Sequence, residues 1–239
     1  MNLPSARSGP EAEGLVDNAM RAINRRIRSE RLRVGDPVPS EAGLAVEFGV
    51  SRTVVREAFR ALAALGIISL GNGRRARVGT IDKDVLGLVI DHAVHTDQVS
   101  IQQIYDVRRT IEMRTVVLAA LRRSEPEVEA INAHAVAMRQ AFSRPDDAME
   151  HDIAFHTAIA VASRNPLFAL IVGSFSVVTR QTWRIGWDSR STDAERLANV
   201  ECHARIAAAI EAREPRVAEA AMAEHFDNSV KALLSAGVI

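Results

Sequence analysis

The stretch Pro39 to Leu65, PSEAGLAVEFGVSRTVVREAFRALAAL, constrains the fold more tightly than any other part of the chain. It holds two apolar patterns of helical spacing on either side of Gly49-Val50. From Ser40 the first buries Leu44, Ala45 and Phe48; from Ser51, a good N-cap, the second buries Val55, Ala58, Phe59 and Leu62. Only a tight turn fits between them, so the stretch reads as a helix-turn-helix rather than one long helix. On the outer face of the second helix Arg52, Arg56 and Arg60 follow at four-residue steps, with Thr53 beside the first turn. Forked donors at a helix N-terminus suit guanine edges and phosphates in the major groove of double-stranded DNA. A solvated arginine face would carry the same stripe, and the segment that follows decides between the two.

Ile67-Ile68-Ser69-Leu70 and Ala76-Arg77-Val78 are short β patterns flanking Gly71-Asn72-Gly73-Arg74-Arg75, a turn with arginines at its tip. A hairpin directly after a recognition helix is the wing of a winged helix. From Gly35 to Gly79 the sequence resembles the GntR family of bacterial transcription regulators. Pro39-Ser40-Glu41, Leu44-Ala45, Gly49-Val50-Ser51-Arg52, Val55-Arg56-Glu57-Ala58, Leu62 with Gly66, and Gly71-Asn72-Gly73 carry that resemblance. It implies contacts with operator DNA for Ser51, Arg52, Thr53, Arg56, Gly73 and Arg74. One departure is Ala42, which stands where relatives often have an arginine as a further DNA contact.

Charge is distributed accordingly. Residues 1–80 carry 13 Arg and no Lys against 8 acidic residues, a net charge of +5, which the remaining residues balance with −5. A basic module on an acidic body fits DNA engagement by one end only. Met1 to Pro10 is polar and holds two prolines, so residues 1–10 read as a mobile tail rather than a signal peptide. The longest nearly apolar run, Leu167 to Val178, is too short for a membrane span. The lone Cys202 fits a reducing compartment. The expectation is a cytoplasmic protein with no membrane partner.

The expected fold is mainly α: an N-terminal winged helix-turn-helix with a small β-hairpin wing, then an all-α helical bundle. Residues 11–79 form the first domain, 80–83 a linker and 84–239 the second. The first domain opens with an amphipathic helix whose inner face is Leu15, Ala19, Ala22, Ile23 and Ile27. The second reads as seven helices, with Pro166–Ile185 as one of them and Gly186–Thr192 as a polar loop.

One constellation in the bundle carries chemistry. Asp152 and His156 lie at i and i+4 and leave the same face of one helix. His203 and His225 sit on the last two long helices, 22 residues apart. Three imidazoles and a carboxylate form a borderline-soft set suited to a divalent metal, zinc first, with nickel, iron or manganese as alternatives. Spacing alone leaves surface hydrogen bonding open for the Asp152/His156 pair, and ordinary buried histidines for His203 and His225.

The segment from Asp84 to Leu234 is similar to the all-helical FCD effector domain of the FadR-type GntR subgroup. The marks are Val107-Arg108…Ile111-Glu112, Asp152…Phe155-His156, Asn165, Glu201-Cys202-His203…Ile206 and Met222…His225. The resemblance implies a metal held by Asp152, His156, His203 and His225. It also implies that Arg108 faces a cavity and pairs with an effector carboxylate. Spacing offers a second reading of Arg108, an intrahelical salt bridge with Glu112. His151 points about 100° away from Asp152 around the helix and misses the set. His92, His95 and His134 lack partners at ligand spacing, and Cys202 reads as a small buried thiol. Trp183, Arg184 and Trp187 read as core or dimer contacts near a ligand entrance, and Arg180 as a minor anion contact.

The expected function is a ligand-responsive, one-component regulator working as a homodimer. Two recognition helices address a short palindrome, and a small anionic metabolite, an aldonate or similar hydroxy acid, shifts their placement. Repression relieved by the effector is the commoner behaviour of the family. Two other readings use the same residues. A metal-dependent enzyme would activate water with the Asp/His set, although no Glu-x-x-His occurs in the chain. A DNA binder whose bundle only dimerises would leave the histidines idle.

Overall fold

The computed structural model describes residues 10–71 and 74–238. Residues 1–9, expected as a tail, lie outside the described residues, as do Asn72 and the DNA-contact candidate Gly73; Arg74 is described through its backbone alone. The chain divides into two units, Met1–Val85 and Leu86–Ile239.

Serine caps define the helix-turn-helix of the first unit. After α1 (Pro10–Ser29), α2 (Glu41–Phe48) starts at Ser40, whose hydroxyl accepts from the Gly43 amide at 3.2 Å. Gly49 ends α2 with φ +66°, a left-handed conformation that a side chain would strain. Two residues later Ser51 Oγ accepts from the Val54 amide at 3.3 Å and opens α3 (Arg52–Ala64). Each such cap contributes about 1 kcal/mol. Leu44 and Ala45 of α2 and Val55, Ala58, Phe59 and Leu62 of α3 are buried as the spacing predicts, together with Ala19 and Ile23 of α1. Leu15 is a correction: it is 44% exposed, and Val16 and Met20 pack on the core instead. The buried stripe runs 16, 19, 20, 23, 27, and Leu15 sits about 100° off its centre.

The wing pairs β1 (Ile68–Gly71) with β2 (Arg74–Val78), antiparallel, with Ile68 opposite Val78 and an irregularity between Ser69 and Gly71. Arg75 therefore lies within a strand rather than at the turn tip. Its Nε donates to Val38 O at 2.9 Å, and Arg77 Nη1 donates to Gly35 O at 2.6 Å, so both brace the 33–38 loop against the hairpin. Gly79 follows, packed so closely on Gly66 that a Cβ would overlap the Gly66 carbonyl oxygen.

From Lys83 onward the described residues form helices joined by short loops: α4 (Lys83–His95), which runs across the unit boundary, then α5 (Ile101–Arg122), α6 (Glu125–Gln140), α7 (Pro145–Ala162), α8 (Pro166–Ser174), α9 (Ser176–Asp188), α10 (Asp193–Glu211) and α11 (Pro215–Ser235). Reciprocal capping boxes at Ser100 with Gln103 and at Thr192 with Glu195 fix the starts of α5 and α10. Proline in the first turn of α7, α8 and α11 does the same without needing a donor. Helix α5 packs on α7 and α11, and α10 on α6 and α11. Val116, Met138, Phe155, Ile159, Ile206, Ile210, Met222 and Phe226 fill the space between them.

Two expectations fail here. The stretch Pro166–Ile185 is two helices, broken at Phe175 beside the Gly173-Ser174 pair, a sequence prone to kinking. At the break the Phe175 amide turns to Val172 O, and Ser174 Oγ bonds back to Ile171 O. The polar loop expected from Gly186 begins only at Ser189, because Trp187 is buried and holds the helix together past Gly186. Among the described residues no helix is long and apolar enough to cross a membrane.

Candidate metal centre

Helix α7 carries Asp152 and His156 one turn apart, α10 carries His203, and α11 carries His225. All four side chains are buried, and each offers one ligand atom such that these atoms lie within 4.8 Å of one another. The His203 and His225 rings are 4.6 Å apart, and the His156 and His225 rings 4.9 Å. Phe155 and Phe226 stand edge-on to the histidines and keep water away.

Hydrogen bonds decide which nitrogens face inward. His203 Nδ1 lies 3.0 Å from Asn199 O, and a carbonyl can only accept, so Nδ1 carries the proton. Nε2 then meets Asp152 Oδ1 at 2.9 Å. In the neutral ring those are two lone pairs face to face, a contact that is attractive only with a proton or a cation between them. His156 Nδ1 abuts Glu112 Oε2 in an ion-pair contact, off the line of a proper hydrogen bond. Its Nε2 faces Asp152 Oδ1 at 3.8 Å and has no hydrogen-bond partner, and neither has His225 Nδ1. Each buried nitrogen left without a partner costs about 1–3 kcal/mol. A divalent cation would satisfy the inward-facing nitrogens; the remote nitrogen of His203 is already bonded to a carbonyl, as in metal-ligating histidines, and that of His156 lies against the Glu112 carboxylate. The residues fit the group.

Electrostatics sharpens the picture. Burial alone would raise the Asp152 carboxyl, but the surrounding His156, His203 and His225 outweigh it and hold it well below the usual carboxylate range. Burial likewise acts to raise Glu112, against His156 and Arg108, which bring it down. Burial disfavours the charged form of His156, yet Glu112 and Asp152 raise its pKa; His225, buried beside two other imidazoles, is pushed well below its ordinary value.

A cavity of about 40 Å³ opens beside the set, lined by Tyr105, Arg108, Thr182, Trp183, Arg190 and His225 among others. Arg108 faces it and also forms the salt bridge that spacing offered: Nε lies 3.0 Å from Glu112 Oε1, and Nη1 donates to Thr179 Oγ1 at 2.9 Å. Sequence reasoning missed two residues. Glu112 was seen only as a partner of Arg108, although it also reaches His156 on another helix. Arg190, in what looked like a solvated loop, lines the cavity and donates to Asn199 Oδ1 at 3.1 Å and to Gly186 O. No periodic signal marks either role.

The remaining candidates fall away from the set. Arg180 pairs with Glu150 and Arg184 with Asp188. Trp183 stacks on Trp187 at the cavity wall and donates to Pro145 O at 2.9 Å. His151 faces His134, while His92 and His95 are exposed. Cys202 is buried against Ala221 O, and burial pushes its thiol up to about 11.

In the first unit Ser51, Arg52, Thr53 and Arg56 are exposed along α3. Arg60 is held by Glu57 at 2.8 Å, whereas neither Arg52 nor Arg56 forms an ion pair with a described residue. Both line an open groove with Ser40, Ala42, Gly71 and Arg75.

Comparison with known proteins gives a consistent result. Residues 15–78 match the family described as bacterial regulatory proteins, gntR family, and residues 103–228 match the FCD domain. The HTH-type transcriptional regulator LutR of Bacillus subtilis is 31% identical over 206 residues, covering 84% of this chain and 93% of that protein. The HTH-type transcriptional repressor NanR of Cronobacter sakazakii is 30% identical over 215 residues, covering 86% and 80%. Among solved structures, Streptococcus agalactiae GntR superposes with a TM-score of 0.64 at 22% identity, over 89% of this chain and 97% of that one, a likeness of fold.

Proposed function

The chain belongs to the gntR family of bacterial regulatory proteins and carries an FCD domain, a DNA-binding transcription regulator rather than an enzyme, and on that premise we propose that it is a metal-centred, acid-responsive repressor. Asp152, His156, His203 and His225 hold a divalent metal, zinc first. The convergence of these four buried donors, two with nitrogens that nothing else satisfies, carries this reading. A divalent cation there supplies a Lewis-acid point for an effector carboxylate.

The chain's own residues do the rest. Glu112 and Asn199 O orient His156 and His203, and Phe155 and Phe226 exclude water. Arg108 presents its remaining guanidinium donors from the cavity wall to a small carboxylate or sugar acid, beside Tyr105 and Thr182, whose hydroxyl protons are taken up by Thr182 Oγ1 and Val178 O. On DNA, Ser51, Arg52, Thr53, Arg56, Gly73 and Arg74 contact the operator, in a homodimer whose two copies of α3 address a palindrome in the cytoplasm. The acid relieves repression by binding one arrangement of the two DNA-binding units more tightly than the other, without which it could not change DNA affinity.

The test is elemental analysis of the purified protein with melting curves before and after chelation. About one equivalent of metal per chain, and a Tm that falls on chelation and returns with zinc, is the expected outcome. Asp152→Ala with His203→Ala should abolish both effects. A protein that carries no metal, and whose Tm ignores chelator and zinc alike, would reduce the bundle to a dimerisation module.

A further inference from the structure

Two arginines line the cavity beside the candidate metal centre, and they differ in one respect. Arg108 is neutralised by Glu112 at 3.0 Å. Arg190 gives its hydrogen bonds to two neutral acceptors, Gly186 O and Asn199 Oδ1, and makes no ion pair with a described residue. It is partly buried, and burial lowers its pKa. Asp152 and Glu195 act on it only from a distance, and a partly buried guanidinium with no carboxylate in contact has donors in its planar fork to spare for an anion.

Its position adds a second argument. Arg190 and Asn199 line both the inner cavity, about 40 Å³, and an outer pocket of about 220 Å³ that also holds Lys231. The inner space admits roughly three water-sized groups, enough for one carboxylate end but not for a four-carbon acid. The outer pocket has room for the remainder, next to two cations, Arg190 and Lys231, against one carboxylate, Glu195. Charge points the same way. With Glu112 cancelling Arg108, a divalent ion on Asp152 leaves one uncompensated positive charge, and Arg190 with Lys231 outweighs Glu195 by one more.

We propose that the inner cavity and the outer pocket are two halves of one effector site, that Arg190 is its second anion receptor, and that the acid it takes is a small dicarboxylate. This rests on the metal-centred effector reading above. One carboxylate enters the inner cavity toward the histidines; the other displaces Asn199 from Arg190 at the junction of the two spaces.

Calorimetric titration of the full-length, zinc-loaded protein with matched acids tests it: succinate against butyrate, and malate against 2-hydroxybutyrate. Each diacid should bind at least about tenfold more tightly than its monoacid, the effect of one charge-assisted contact. Arg190→Gln should bring the diacid down to the affinity of the monoacid and leave the monoacid within about twofold. Arg190→Lys, which keeps the charge but not the fork, should restore part of the preference. Equal affinity for diacid and monoacid in the unaltered protein overturns the inference, whatever the variants do. A diacid preference that survives Arg190→Gln overturns it as well. If none of the four acids binds, this inference fails, while the metal-centred reading stands or falls on the chelation test above.

Discussion

Replacing Arg108 with leucine should strand a carboxylate inside the second unit. The Arg108 and Glu112 side chains are 6% and 1% exposed, and Arg108 bridges Glu112 to Thr179. Burial works to raise the Glu112 carboxyl; only His156 and Arg108 hold it ionised. Leucine fills the space of the arginine stem but removes one of those two charges. Breaking a buried pair from one side costs about 3–5 kcal/mol. At roughly 2–4 °C per kcal/mol for a domain of this length, the expected fall in Tm is roughly 6–20 °C. The double variant Arg108→Leu/Glu112→Leu should recover most of that loss, because replacing both partners by apolar groups is often neutral. Its metal affinity should nevertheless drop about 10–100-fold, since His156 loses its orienting carboxylate. The assay is direct: both tryptophans, Trp183 and Trp187, lie on α9, so intrinsic fluorescence reports the unfolding of the second unit alone. Chelated protein keeps metal linkage out of the measurement. A loss below about 1 kcal/mol, typical of an exposed pair, would refute Arg108 as the counter-charge. A double variant no more stable than the single one would refute the pairwise reasoning.

Other expectations are simpler. Arg52→Ala and Arg56→Ala should each weaken operator binding and reduce the slope of log affinity against log salt by about one; an unchanged slope means that the side chain does not reach a phosphate. Neither should alter the melting curve, since both side chains are exposed and unpaired within the described residues. Cys202, with its thiol pushed up to about 11 by burial, should resist an aromatic disulfide reagent at mildly alkaline pH until the protein is unfolded; rapid labelling of the native state contradicts its placement. Gly79→Ala should cost about 1–3 kcal/mol by forcing the hairpin away from Gly66. Faster hydrogen exchange at the Ile68–Val78 pair would register it, and unchanged protection would show that the backbone absorbs the extra carbon.

Much of the first unit was legible because its signals are local. Ser40 and Ser51 cap, Gly49 takes a left-handed turn, and the apolar spacing between them needs no long-range information. Helical phase alone also put Asp152 and His156 on one face. The meeting of α7, α10 and α11 was not written in any spacing, and His203 and His225 joined the set through family resemblance. What escaped depends on tertiary packing. Trp187 is pulled into the core and extends α9 past Gly186, carrying Arg190 from an apparent loop to a cavity wall. Leu15 had the right character for a core position but lies one residue off the buried stripe. Glu112 has two oxygens, and only its partner one turn away could be found by counting.

Those two oxygens have a consequence for the cell. One touches Arg108 at the cavity wall, the other His156 in the candidate ligand set. On the proposed reading, an acid that repositions the arginine would act on the histidine through Glu112, and acid and metal binding would be thermodynamically linked. Linkage is reciprocal: whatever factor the metal adds to the affinity for the acid, the acid adds to the affinity for the metal. A regulator built this way would be a coincidence detector. Its operator would answer to both ligands together, and a cell starved of metal would respond weakly to the acid alone.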